Sequence, residues 1–383
     1  MNRKTGDLPV NKELGLRLRS LDQARKFAAL RSRGERRFRL LQTANWKLVT
    51  RASVPSPSTA NSAVPRVDLC AATASLVVMK HKPKDMSDPR VLRAEAARTS
   101  EEFDRLLRGK EFESKEELEK YMQSLVGKSF DELPMPEPTP RDKAQDLVYD
   151  AWEETSNKRR AEMARQALEL WPDCADAYCL LAETAKSMKE ERRLLEAAVA
   201  AGERAVGPEP FKDDVGRFWG IHSTRPYMRA RFLLAGLLWH QGEQDAAIKH
   251  ARELLRLNPN DNQGVRYTLV GWLLQAGNNR GAVVLLDRYD EVTAGWLYAR
   301  ALLEFRTWGD SDRARETLES AFRSNAILPE YLMALRPESD ALPDSFSHGS
   351  DDEAMIVFRD LGEAWQTTPA ALDWLRDRWL SRK

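Results

Sequence analysis

From residue 86 onward apolar residues return every three or four positions, the interval that lines one face of an α-helix. Three stretches repeat one phrase: residues 161–172 (AEMARQALELWP), 247–259 (AIKHARELLRLNP) and 314–325 (ARETLESAFRSN). Each reads as an amphipathic helix stopped by Asn or Pro, and each follows another helical stretch after a short turn. Those upstream helices are expected at 146–154, 229–241 and 294–308, the last two closed by Gly242 and Gly309. No stretch from 141 onward alternates with period two over a useful length, and the β-branched residues are dispersed. The pattern predicts an all-α chain.

Helix starts carry their own signals. Thr99 precedes Glu102, Ser114 precedes Glu117 and Ser350 precedes Glu353 by three residues, the spacing at which side chains and backbone N–H groups satisfy one another at an N-terminus. Thr368 before Pro369 reads as a further start, with proline where its missing N–H is harmless. Between 133 and 140 four prolines in eight residues break any helix and extend the chain. The expected organisation is a basic extension at 1–85, a helical lead-in and Pro-rich linker at 86–140, and a repeat domain at 141–383. Helices at 351–365 and 369–380 are expected to cap the end.

The repeat spacing is about 34 residues where it is cleanest, and the small residues hold fixed places. Leu234, Ala235, Gly242, Ala247, Ala251, Leu254 and Pro259 match the pattern best; Ala235 and Ala247 fall where two helices of a unit cross, and a methyl group permits the close approach. The pattern resembles the tetratricopeptide repeat family, which implies an irregular right-handed α-solenoid of tetratricopeptide-like helix pairs, each covering the apolar edge of its neighbour. A narrower likeness lies in ALEL at 167–170, CADAYCLLAE at 174–183, AAVAAG at 197–202, RYDEV at 288–292 and AFRSNAILPEY at 321–331. These resemble the suppressor of tumorigenicity 7 family, over roughly 165–380, and imply a helical-repeat protein with no established catalytic residues.

Charge divides the chain. The 383 residues carry a formal net charge of +1, which excludes a polybasic nucleic-acid binder as a whole-chain description. Residues 1–85 hold 18 basic and 6 acidic side chains, however, a net +12, against −11 for the remainder. A cationic amphipathic helix is possible at 21–41, followed by a Pro/Ser-rich linker at 54–62. The bland reading, an unstructured or extraneous extension, is favoured over a nucleic-acid arm or a targeting presequence. Cys70, Cys174 and Cys179 are too few for a disulfide framework and fit a reducing, cytoplasmic setting. No 18 apolar residues run together, so no membrane span is expected.

Candidate chemistry is thin. Gly127-Lys128-Ser129 lacks the glycine five residues upstream that a phosphate loop requires. Asn258, Asn260 and Asn262 alternate like calcium ligands but are neutral amides, with Leu269 where a bidentate Glu belongs; Asp261 or Asn262 capping the next helix explains them better. Cys174 and Cys179 lie about 140° apart on a helix and cannot ligate one metal from a single face. His81, His222, His240, His250 and His348 are scattered. The expectation is a non-enzymatic protein without cofactor or metal, a scaffold or adaptor for another protein or peptide. The alternative is a nucleic-acid-associated protein working through the basic arm.

Residues 207–228 (GPEPFKDDVGRFWGIHSTRPYM) interrupt the array for longer than a turn needs. They bring Phe211, Phe218, Trp219 and Tyr227 together with Arg217 and Arg225, residue types enriched at interface hot spots. The segment reads either as a docking loop or as a cover packed over the solenoid, with its arginines on Asp213 and Asp214. Arg225 and Arg229 are four apart and expected to meet near a helix start, where two guanidinium groups suit a carboxylate. Asp176, Glu183, Arg229, Trp239 and Tyr267 are expected on one inward stripe, with Arg225 and Trp219 at its rim. An acidic peptide is the expected ligand class.

Overall fold

The computed structural model describes residues 88–382 apart from 129, 290, 340–342 and 344–345. The basic extension at 1–85, with its expected helix and linker, lies outside the described residues. Among the described residues the regular structure is helical throughout.

Helices α1 (Pro89–Leu107) and α2 (Lys115–Leu125) form a small lobe of their own. Phe103 and Leu106 meet Met122, Leu125 and Phe130 in a core separate from that of the array, with Phe103 and Phe130 edge to face at 5.0 Å. The pairs follow: α3 (Pro140–Glu153) with α4 (Asn157–Leu170), α5 (Ala175–Glu183) with α6 (Met188–Val206), and α7 (Arg225–His240) with α8 (Gln244–Leu257). Then come α9 (Val265–Gln275) with α10 (Asn279–Arg288), and α11 (Ala294–Trp308) with α12 (Asp312–Ser324). Each first helix packs on its own second helix, and from α5 on also on the second helix of the preceding pair. This is the α-solenoid arrangement of tetratricopeptide-like pairs. Ala235 and Ala247 are fully buried where α7 and α8 cross. Gly242 and Gly277 make the turns within their pairs at φ 81° and 68°, conformations that cost glycine little.

Two start signals act elsewhere than expected. Thr99 lies inside α1, whose N-terminus is capped by Asp88 accepting from the Arg90 amide. Thr368 closes the preceding helix, and the last helix begins after Ala370, held at φ 60°. Ser114 and Ser350 do cap their helices. A full capping box also stands at Thr139 and Asp142, at the end of the proline stretch.

The end of the chain does more than cap. After the short α13 (Leu328–Leu332), helix α14 (Asp351–Thr367) turns back against α9 and α11, and α15 (Ala371–Leu380) closes over it. Gly271 admits this approach: a Cβ there would land inside the Asp360 carbonyl oxygen. Trp365 and Leu361 of α14 are buried in the continuous apolar core that runs from Ala175 to Leu375. Arg306 of α11 fastens the helix, donating to Ala364 O at 3.1 Å, Thr368 Oγ1 at 2.7 Å and Leu274 O at 2.7 Å.

Candidate functional site

The first helices of the pairs (α3, α5, α7, α9 and α11) form one side of the array. Its side chains fall into three zones.

Over α3 lies α1, antiparallel to it. Three arginines face three aspartates spaced by one helical turn. Arg98 Nη2 donates to Asp150 at 2.8 Å, Arg105 Nη2 to Asp146 at 3.2 Å, and Arg108 grips Asp142 with two bonds of 2.8 and 2.7 Å. Burial would raise the Asp142 carboxyl, but hydrogen bonds from Arg108 and Thr139 hold it well below the usual carboxylate range. The Arg98 guanidinium also lies 5.7 Å from the Tyr149 ring centroid, a cation–π contact. At the far end Asp104 meets His222 at 3.0 Å, which ties α1 to the segment before α7.

The middle zone holds most of the residues singled out from sequence, and the expected stripe divides there. Asp176 and Arg229 do meet, but as an interior pair: Arg229 Nε donates to Asp176 Oδ1 at 2.9 Å, Nη2 to Oδ2, and Gln145 adds a bond at 3.1 Å. Asp176 is 2% exposed, and the Arg229 guanidinium stacks 5.2 Å from the Trp152 centroid. Burial works against the Arg229 charge, and the Asp176 carboxylate more than restores it, so its pKa is raised. Glu183 is likewise interior, paired with Arg160 at 2.5 Å, its carboxyl pushed up by burial to about 7. Only the pattern of three- and four-residue spacing was legible; whether such a stripe faces solvent or a neighbouring helix is decided by what packs on it.

Arg225 and Arg229 go to different partners. Arg225 donates to Trp219 O at 2.9 Å and lies 5.4 Å from that ring. The 207–228 segment packs down: Phe218, Trp219 and Tyr227 are buried, Phe211 lies against Phe218 and Tyr227, and Arg217 holds Asp214 at 2.8 Å. Trp239 is half-buried and stacks flat on Trp272 at 5.0 Å. Tyr267, also half-buried, donates to Glu291 at 2.5 Å beneath Arg266, which lies 4.6 Å from its ring. Asp261 caps α9, accepting from the Val265 and Arg266 amides at 2.8 Å each.

The third zone is covered by α14, as described above. Among the described residues no group of His, Cys, Asp and Glu is placed to hold a metal ion, and no helix is long and apolar enough to cross a membrane.

The acidic track of α3 and its arginine partners were missed in the sequence reading, although the signal was present. Asp142, Asp146 and Asp150 recur every four residues on one helical face, and Arg98, Arg105 and Arg108 follow the matching helical intervals.

Fold and surface together define a tetratricopeptide-like α-solenoid whose first-in-pair helices carry α1 and α14 of the same chain. The chain belongs to the ST7 protein family, whose model matches residues 79–379. It is 25% identical over 305 residues to Protein ST7 homolog of Drosophila pseudoobscura pseudoobscura, covering 72% of this chain and 56% of that one. It is 26% identical over 263 residues to Suppressor of tumorigenicity 7 protein-like of Rattus norvegicus, covering 61% and 46%. The chain thus spans about half the length of the curated relatives it matches. Among solved structures it is similar to YrrB, a TPR protein with an unusual peptide-binding site, at 18% identity and a TM-score of 0.35, over 47% of this chain and 85% of that one.

Proposed function

We propose that this chain is a non-enzymatic protein-interaction scaffold that receives a segment of a partner protein along its first-in-pair helices. The observation that carries this reading is that the same surface already holds helices in cis: α1 by ion pairs and α14 by apolar burial. Between the two, α7 and α9 present the half-buried Trp239, Tyr267 and Arg225, and these are the residues proposed to touch a partner. Aromatic and arginine side chains anchor interfaces because they bury much area at little entropic cost. Asp176, Arg229, Glu183 and Trp219 serve that surface from beneath: Asp176 and Arg229 hold α5 to α7, Glu183 holds α5 to α4 through Arg160, and Trp219 anchors Arg225. The buried thiols of Cys174 and Cys179, both pushed up by burial, suit a reducing compartment such as the cytoplasm.

Cross-linking mass spectrometry of the full chain with a captured partner tests the reading. Links should fall on α5, α7 and α9. Links confined to α4, α6, α8 and α10 would overturn it. The nucleic-acid reading rests on the net +12 of residues 1–85. It requires tight filter binding that falls steeply with salt and vanishes on removing those residues.

A further inference from the structure

We propose that the acidic face of α3 is a docking surface for an arginine-bearing amphipathic helix of a partner protein, and that α1 occupies it in cis as an exchangeable stand-in. The inference rests on the scaffold reading above and names the class of partner for one part of that surface.

The composition of the α1 interface carries the argument. The largest buried apolar side chains of α1, Phe103 and Leu106, are spent on the core shared with Met122, Leu125 and Phe130, and outside that core only Val91 and Ala94 add apolar burial. Toward the array α1 offers charge: Arg98, Glu101, Glu102 and Arg105 are each 5–9% exposed. Taking such groups out of water costs several kcal/mol per ion, which pairing only repays when every polar atom is satisfied. Here it is not. Arg98 Nε and Arg105 Nε are buried without a hydrogen-bond partner, and burial pushes the Glu101 carboxyl up. An interface that is specific in geometry but close to break-even in energy can be exchanged.

The surface beneath dictates what replaces α1. Asp142, Asp146 and Asp150 form a carboxylate track with one-turn spacing, Glu153 continues it, and Tyr149 supplies a face for a guanidinium to stack on. Arginines at i, i+7 and i+10 of an antiparallel helix meet the three aspartates, as Arg98, Arg105 and Arg108 do. Planar guanidinium forks match carboxylates with two bonds where lysine offers a single point charge, so arginine is favoured. Asp150 and Asp146 are 48% and 35% exposed, which leaves the seam open to salt.

The probe is a fluorescein-labelled peptide of residues 88–108, titrated into the full chain and followed by anisotropy. The wild-type chain should bind it weakly, because its own α1 is in place. The double variant Arg98→Glu, Arg108→Glu should bind it at least about tenfold more tightly. Adding Asp146→Lys and Asp150→Lys to that variant should remove the binding, and a peptide with its three arginines changed to Gln should not bind. A double variant of native circular dichroism that binds no better than wild type overturns the proposal, as does equal binding of the Gln peptide. Should the double variant fail to fold, hydrogen exchange on the wild-type chain decides. Raising salt should speed the α1 amides at least about tenfold relative to α11, and an unchanged ratio overturns the proposal. Partner cross-links on α7 and α9 alongside a failed peptide titration would leave the scaffold reading standing and this one fallen.

Discussion

At the scale of single residues the decisive feature is the Asp176–Arg229 pair, because removing one half leaves the other charged and buried. Arg229→Leu should cost about 3–5 kcal/mol, and the double variant Asp176→Asn, Arg229→Leu should recover most of that loss. Urea melts of the four proteins of the cycle check this; a single variant as stable as wild type would show that the pair contributes nothing. His250 sets a pH dependence. Burial, with Arg231 and Lys249 nearby, pushes its pKa from 6.5 down to about 4. The unfolded chain therefore takes up a proton near pH 6.5 that the folded chain refuses until about pH 4. The contribution of His250 is full above that window and is lost as pH drops through it, while Glu183, its carboxyl raised to about 7, contributes with the opposite sign. His250→Gln should make the variant lose less, or gain more, stability than wild type between pH 7 and pH 4.5; an unchanged difference would show that His250 contributes nothing. In the sequence His250 is one of five scattered histidines, and the sign of its titration needed its burial and the neighbouring Arg231 and Lys249.

At the scale of elements the placement of α14 matters most. Its amphipathic pattern and its Ser350 cap were plain in the sequence, and so were the bounds of α11 at 294–308. The surface it covers was not. Nothing in the local sequence marked Gly271, and its purpose emerges only where the Asp360 carbonyl passes over it. Gly271→Ala should lift α14 from α9 and destabilise the chain by about 1–3 kcal/mol or more, since a backbone atom cannot swing aside as a side chain can. Thermal melts read the loss, and Trp365 fluorescence in a single-tryptophan background reads the displacement. A variant as stable as wild type would mean α14 is loosely held. The inserted 207–228 segment makes the same point. Its aromatics were conspicuous, and burial of Phe218 and Tyr227 followed from their lying against Phe211 and α6 rather than from their identity.

At the scale of the whole molecule one apolar core runs from Ala175 to Leu375, α3 and α4 share a second with one face of α5, and five residues of α1, α2 and the following turn form a third. The array from α5 onward should therefore open as a unit, and the α1–α2 lobe locally and at lower free energy. In native-state hydrogen exchange the amides of α7, α9, α11 and α14 should converge on one opening free energy, with α2 well below it. Equal protection of α2 would show the two cores to be coupled. The sequence by itself determined the helical class, the pairing of helices, the small residues at their crossings and the caps at Ser114 and Ser350, because these depend on spacing within about a dozen residues. It also determined the family likeness and the separation of charge along the chain. Only the tertiary structure decided which charged stripe faces a neighbour and which faces water. That choice depends on α1 and α14 folding back over helices some 40 to 90 residues away in sequence. Periodicity specifies a helix face, and it contains no term for the segment that comes to cover that face.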